Sequence, residues 1–133
     1  LGRTPIFAGG VWTWNRLWVN LPVTIACLAP GLAAAREAGV QEVVGTLWGD
    51  DGAECDPASA LAGMQAFATL VHRGSATPAE LARDFRATCD GDFAAYAAAS
   101  ALDCPATPDG DLVPRQGNLS KWLLWHDPVL GFL

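Results

Sequence analysis

The chain has 133 residues, of which 51% are hydrophobic and 17% are charged, and its formal net charge is −6. This length predicts one domain, and the composition is typical of a folded globular protein. The acidic balance and the scattered lysines and arginines argue against nucleic acid and anionic membranes as partners. Prolines and an arginine interrupt the apolar stretches before they reach the roughly 20 residues that span a bilayer, so no membrane partner is expected.

The cysteines of this chain are widely spaced. Cys27, Cys55, Cys89 and Cys104 form no Cys-x-x-Cys pair, and only two histidines are present, so zinc ligation is not expected. The even count allows disulfides, but three of the four cysteines lie in helix-like, alanine-containing segments where a small buried thiol is common. We therefore expect free thiols, a reducing compartment and a cytoplasmic location.

The first half of the sequence predicts a strand, a helix and a second strand. These elements are expected at residues 6–14, 21–38 and 41–48. Gly9-Gly10 predicts a bulge or a close backbone approach in the first strand. Asn20 is the expected N-cap of the helix, which should kink or split at Pro30-Gly31. The second strand is apolar on both faces, as buried parallel strands are, so a βαβ unit with parallel strands is expected.

The second half predicts helices. They are expected at residues 56–72, 77–89, 92–102 and 119–125, with a loop at 104–116. Thr77 and Glu80 have the spacing of a capping box. In the first of these helices, the expected apolar face consists of Leu61, Met64, Phe67, Ala68 and Val71. Two parallel strands cannot bury both their faces alone. Either helices wrap the two strands, or these are the last strands of a larger sheet.

Aromatic and acidic residues follow both strands. Trp48 and Asp50 end the second strand, and Trp12, Trp14 and Asn15 end the first. The carboxyl ends of parallel strands are where α/β folds place their sites. Indole rings stack on the C–H faces of sugars while carboxylates accept hydrogen bonds from hydroxyl groups. These five residues are therefore the candidate substrate-binding residues.

Several roles at these strand ends stay open. Asp51 and Glu54 are also typical of helix N-terminal acids, and Asn15 is also a possible cap. Which of Trp12 and Trp14 faces the pocket is undecided, because residues i and i+2 of a strand share a face.

Three segments carry a resemblance to a known family. Residues 7–15, 42–54 and 120–131, taken in this order, resemble the C-terminal third of bacterial family 20 glycoside hydrolases, the β-N-acetylhexosaminidases. The resemblance implies an α/β fragment, mostly α: the last two βα units of a (β/α)8 TIM barrel and a helical C-terminal domain. Residues 1–74 would belong to the barrel and residues 75–133 to the helical domain.

The resemblance also implies an activity for the parent protein. It would be an exo-enzyme that removes terminal β-linked GlcNAc or GalNAc by substrate-assisted, retaining catalysis. Trp48 would line the pocket, Asp50 would bind sugar hydroxyls, and Trp12, Trp14 and Asn15 would lie nearby. The catalytic Asp-Glu pair of the family follows strand four, so this chain would contain no catalytic residue and would be inactive alone. No metal or organic cofactor is implied, and a homodimer is expected.

Two alternatives belong to other classes. In the first, the chain is a non-catalytic helical interaction domain whose tryptophans are core and dimer contacts. In the second, Asp50, Asp51 and Glu54 form a carboxylate-dependent hydrolase that acts without the family's catalytic pair.

Overall fold

The computed structural model describes residues 3–14, 16–49 and 54–102. The elements are strand β1 (Ile6–Val11), helix α1 (Leu21–Glu37), strand β2 (Glu42–Leu47), a 3₁₀ turn (Pro57–Ser59), helix α2 (Ala60–Arg73), helix α3 (Pro78–Cys89), helix α4 (Phe93–Ala99) and a second 3₁₀ turn (Ser100–Leu102). The expectation of a mostly helical chain with two parallel strands is confirmed over this range. The helix predicted at 119–125 and the loop predicted at 104–116 lie outside the described residues.

Strands β1 and β2 form a parallel pair without a bulge. Ile6 lies opposite Glu42, and the pairing continues unbroken to Val11 opposite Leu47. Of the two features predicted for Gly9-Gly10, a bulge or a close backbone approach, the structure therefore shows the close approach. A Cβ atom at position 9 would lie 2.5 Å from Leu28 Cδ2 of α1, so the glycine allows the helix to pack directly against the strand.

The helices cover only one face of this two-stranded sheet. Phe7 and Val43 pack on that face against the cluster that contains Leu28. On the opposite face, 56% of Ile6 and 48% of Val44 are exposed. The expectation that the second strand is buried on both faces is therefore wrong, because α1 and α2 both pack on the same side.

Helix α1 begins as the sequence predicts but does not split. Asn20 Oδ1 accepts a hydrogen bond from Val23 N at 3.2 Å, which confirms the N-cap. Pro30 lies inside the helix at an exposed position, and the helix continues to Glu37. Leu28 and Leu32 are buried in the core on either side of the proline. Packing therefore holds both halves in one helix despite the lost backbone hydrogen bond.

The first half of helix α2 approaches the sheet through its small residues and not through its large ones. Leu61 and Met64 are exposed, whereas Ala62 and Gly63 are buried. A Cβ atom at Gly63 would lie 2.4 Å from Val11 Cγ1, so only glycine allows this distance. The expected apolar face of this helix is therefore wrong in its first half. In its second half, Phe67 and Val71 do pack against the core.

One core cluster joins the strand–helix unit to the later helices. Its buried members are Val11, Val19, Leu21, Ala60, Ala62, Ala66, Leu81, Phe85 and Phe93. At its centre the Phe85 ring meets Phe93 and Tyr96 in edge-to-face contacts, with ring centroids 5.8 and 5.0 Å apart. Helices α3 and α4 therefore pack on the same core as β1. The domain boundary after residue 74 stays a prediction.

The predicted capping box at the start of α3 is confirmed. Thr77 Oγ1 accepts a hydrogen bond from Glu80 N at 3.2 Å, and the Glu80 carboxylate accepts one from Thr77 N at 2.9 Å. The Thr77 hydroxyl also donates to this carboxylate at 2.8 Å. The backbone and then the side-chain hydrogen bond from Thr77 hold the pKa of Glu80 below its ordinary value of 4.5.

The lowered pKa of Glu80 predicts an acid-sensitive helix start. A carboxyl group whose pKa is lower in the folded state stabilises the fold above its unfolded pKa, and this contribution is lost as the pH falls through the folded value. We expect the melting temperature of Glu80→Gln to fall less steeply than that of the wild type as the pH drops below about 4.5. Parallel slopes for the two proteins in thermal melts by circular dichroism would contradict this expectation.

Candidate functional site

A threonine side chain extends the parallel pairing beyond the two strands. Val11 opposite Leu47 is the last backbone pair. Two residues later, the buried Thr13 hydroxyl donates to Trp48 O at 2.8 Å and accepts from Trp48 N at 3.2 Å. Both backbone polar groups of Trp48 are therefore satisfied by one hydroxyl group. The segment that follows β1 and the residue that follows β2 are held together at this point.

Helix α1 holds the same segment from the other side. Trp12 N donates to the buried Thr24 Oγ1 at 2.8 Å, and Asn20 N donates to Trp12 O at 2.9 Å. The Thr24 hydroxyl in turn donates to Asn20 O at 2.8 Å. The backbone of Trp12 is therefore paired on both its N–H and its C=O, as buried backbone groups generally are.

Two buried serines complete this framework. Ser59 Oγ accepts from Val19 N at 3.0 Å, and Ser100 Oγ accepts from Leu21 N at 3.2 Å. Ser100 also donates to Val19 O at 2.8 Å. Each serine belongs to one of the 3₁₀ turns, so residues distant in sequence determine how the chain enters α1. Sequence reasoning missed the two serines and the two threonines, because small hydroxyl residues carry no pattern that distinguishes a buried bridge from a surface position.

Trp48 lies at the carboxyl end of β2 with 54% of its surface exposed. Its indole Nε1 donates to Thr46 Oγ1 at 3.0 Å, and the Thr46 hydroxyl donates to Gly9 O at 3.4 Å. Positions 44, 46 and 48 alternate onto the sheet face that the helices leave uncovered. The ring is therefore anchored through its only donor and keeps its apolar surface exposed to solvent.

Trp12 and Trp14 stack on each other at the end of β1. Their ring centroids are 4.1 Å apart, with the planes inclined by 30°. A Cβ atom at Gly10 would lie 2.9 Å from Trp14 Cη2 and 3.8 Å from Thr46 Oγ1. Trp14 therefore folds back over Gly10 on the uncovered face, beside the hydroxyl that anchors Trp48. Trp12 is stacked against Trp14, and which of the two faces a sugar pocket stays open.

Four more residues were named at the strand ends, and the structure describes only one of them. Asn15, Asp50 and Asp51 lie outside the described residues. Glu54 is described and exposed. Trp18 packs against the core: its Nε1 donates to Tyr96 O at 3.1 Å and its ring centroid lies 5.4 Å from that of the tyrosine.

A cavity of about 170 Å³ lies between the strand ends and the start of α2. Its lining residues are Thr13, Leu47, Trp48, Gly49, Cys55, Pro57 and Ala60. The Cys55 thiol is 3.4 Å from Ser59 Oγ. Trp48 therefore borders open space on the helix side of the sheet as well as exposing its ring.

Over the described ranges, no group of three His, Cys, Asp or Glu side chains is placed to hold a metal ion. Cys27 and Cys89 are free thiols. None of the described helices combines the length and apolar character that crossing a bilayer requires.

The sequence matches no model of a known protein family, and a search of curated proteins finds no match.

Proposed function

We propose that this chain is part of an exo-β-N-acetylhexosaminidase that hydrolyses terminal β-linked GlcNAc or GalNAc, and that it contributes one wall of the sugar pocket. One observation carries the proposal. Trp12, Trp14 and Trp48 gather at the carboxyl ends of two parallel strands, beside the sheet face that no helix covers. That edge is where (β/α)8 enzymes bind their substrates.

The one-sided cover of the sheet supports a barrel. In a (β/α)8 barrel the helices pack on the outer face of the sheet, and branched apolar side chains fill the inner face. In this chain α1 and α2 lie on one face, and the other face exposes Ile6 and Val44. β1 and β2 would then be strands seven and eight, and the uncovered face would line the barrel interior.

The pocket chemistry divides between stacking and hydrogen bonding. The Nε1 donor of Trp48 is engaged by Thr46, so the ring has its apolar surface to offer, which suits the C–H face of a pyranose. Asp50 would accept hydrogen bonds from sugar hydroxyls, and Trp12, Trp14 and Asn15 would surround the acetamido group and the leaving side. In the family that the sequence resembles, the acetamido oxygen attacks the anomeric carbon, an aspartate orients it, and a glutamate protonates the leaving group.

The catalytic pair is assigned to residues outside this chain. The 133-residue chain should therefore not release nitrophenol from nitrophenyl N-acetylglucosaminide. Turnover that Asp50→Asn abolishes would instead support a hydrolase acting through its own carboxylates. No metal or organic cofactor takes part in the proposed reaction, and we place the protein in the cytoplasm.

Replacing Trp48 with alanine should weaken the binding of N-acetylglucosamine. We expect millimolar binding by the wild type, because the chain supplies only part of the pocket. Losing the contact of one large apolar side chain should cost about 1.5 kcal/mol, or roughly tenfold in Kd. The measurement is a titration followed by the indole ¹H–¹⁵N signals, with the Trp48 signal identified by its absence in the variant.

Trp18→Phe is the matched control for this titration. Trp18 donates its indole N–H to Tyr96 O and packs against the core cluster. Its replacement should leave the Kd for N-acetylglucosamine unchanged. An equal loss of affinity in both variants, or no response of the Trp48 signal in the wild type, would contradict the proposed sugar site.

The second candidate function is a non-catalytic interaction or dimerisation domain. Leu61 and Met64 are three residues apart on α2 and are 39% and 48% exposed, so they form an apolar strip on one face of the helix. Such a strip suits a protein interface. A homodimer in sedimentation velocity, together with a silent Trp48 signal in the sugar titration, would favour this function over the sugar site.

A further inference from the structure

We propose that Thr13 is a positioning residue: its hydroxyl group holds the backbone of Trp48 so that the indole ring is in place before the sugar arrives. The inference rests on the proposed function and deepens it, because it assigns to one side chain the geometry of the stacking platform. Thr13 does not touch the sugar in this proposal and acts through Trp48.

The hydrogen bonds single out the hydroxyl of Thr13. It is within 2.8 Å of Trp48 O and 3.2 Å of Trp48 N, whereas Val11 O is 3.4 Å away. A hydroxyl group has one proton to donate and lone pairs to accept with, so it can serve both polar groups of one residue. Donation goes to the nearer acceptor, Trp48 O. Thr13 is buried, so solvent does not compete for these bonds.

Trp48 is therefore fixed at two separate points. Thr13 holds its backbone, and Thr46 accepts the hydrogen bond of its indole N–H. Thr13 follows β1 and Thr46 belongs to β2, and neither anchor uses the ring's apolar surface. A half-exposed side chain without such anchors would lose rotamer freedom when a ligand orders it, which weakens binding. Fixing the ring beforehand removes that cost for a sugar.

The test compares Thr13→Val, which removes the hydroxyl, with Thr13→Ser, which keeps it. In Thr13→Val we expect the Trp48 indole ¹H–¹⁵N signal to shift or broaden and the Kd for N-acetylglucosamine to rise about fivefold, the usual cost of ordering one side chain on binding. Thr13→Ser should restore both the signal and the Kd to within about twofold of the wild type.

Thr69→Val is the matched control. Thr69 is also a buried threonine, but its hydroxyl donates to Gln65 O inside α2. It lies nine residues after Ala60, about 13 Å along the helix from the cavity beside Trp48. This variant should leave the Trp48 signal and the Kd unchanged, whatever it does to the melting temperature. If Thr13→Val does not fold, Thr13→Cys, which keeps a weak donor, should give an intermediate shift of the Trp48 signal.

The possible results separate this inference from the proposed function. An unmoved Trp48 signal in Thr13→Val overturns the positioning role, whether or not the sugar binds. A shifted signal with an unchanged Kd overturns it as well, because position would then not matter for binding. If the wild type does not bind N-acetylglucosamine, the proposed function is wrong, and so is the role of Thr13 in sugar binding. The shift in Thr13→Val would then support only the part of the inference that concerns the Trp48 backbone.

Discussion

Replacing Phe85 with alanine should lower the free energy of unfolding by about 3–5 kcal/mol, the usual cost of truncating a buried aromatic side chain to alanine. Phe85 is fully buried, and its ring meets Phe93 and Tyr96 edge to face. It shares a core cluster with Val11 of β1, so its loss should destabilise both halves of the described fold. Urea denaturation followed by far-UV circular dichroism gives the value. Arg86→Ala, an exposed change one residue further along α3, should cost at most about 0.5 kcal/mol.

The same variant tests the predicted boundary after residue 74. If α3 and α4 belong to one cooperative unit with the strands, the Trp48 indole signal and the helical circular dichroism signal will be lost at the same urea concentration in Phe85→Ala. If residues 75–133 fold separately, the Trp48 signal will persist at urea concentrations at which part of the helical circular dichroism signal is already lost. Any loss of stability below about 1 kcal/mol would contradict the central position of Phe85 in the core.

Replacing Gly63 with valine should have the second largest effect after Phe85→Ala. It should lower the free energy of unfolding by about 3 kcal/mol, the upper part of the range for overpacked cores. The first added atom alone would lie 2.4 Å from Val11 Cγ1 and 3.5 Å from Val19 Cγ2. Helix α2 would have to move away from β1, which would open the contact that places the start of α2 beside Trp48. Leu61→Val, at an exposed position of the same helix, should cost about 0.5 kcal/mol and serves as the control.

A double-mutant cycle identifies the clash partner. Gly63→Ala alone should destabilise by about 1–3 kcal/mol, and Val11→Ala alone by a similar amount through the lost burial. Because truncation of Val11 removes the atom that the new methyl group would meet, the double variant should be more stable than the sum of the two predicts, by at least about 0.5 kcal/mol. Strict additivity would show that α2 does not pack on β1 through this pair.

Local chemistry determined where two of the helices begin. Asn20 and the pair Thr77 and Glu80 cap the helices that the sequence predicts, because a cap needs only a side chain within three residues of the backbone groups it satisfies. The second strand, predicted at 41–48, is Glu42–Leu47, but the first, predicted at 6–14, ends at Val11. After Val11 the backbone N–H of Trp12 bonds to Thr24 Oγ1 of α1, a contact that the local sequence does not predict. Of the candidate site, Trp12 and Trp14 stack on each other, and Trp48 follows the neighbouring strand.

Only the tertiary structure decided which faces are covered and what holds the site in place. Leu61 and Met64 are as apolar as a core residue must be, yet the close contact between Gly63 and Val11 turns them toward solvent. Periodicity reports which residues share a face, and it does not report what approaches that face. Thr13 shows the same limit, because its hydroxyl acquires a role through Trp48, thirty-five residues away in sequence.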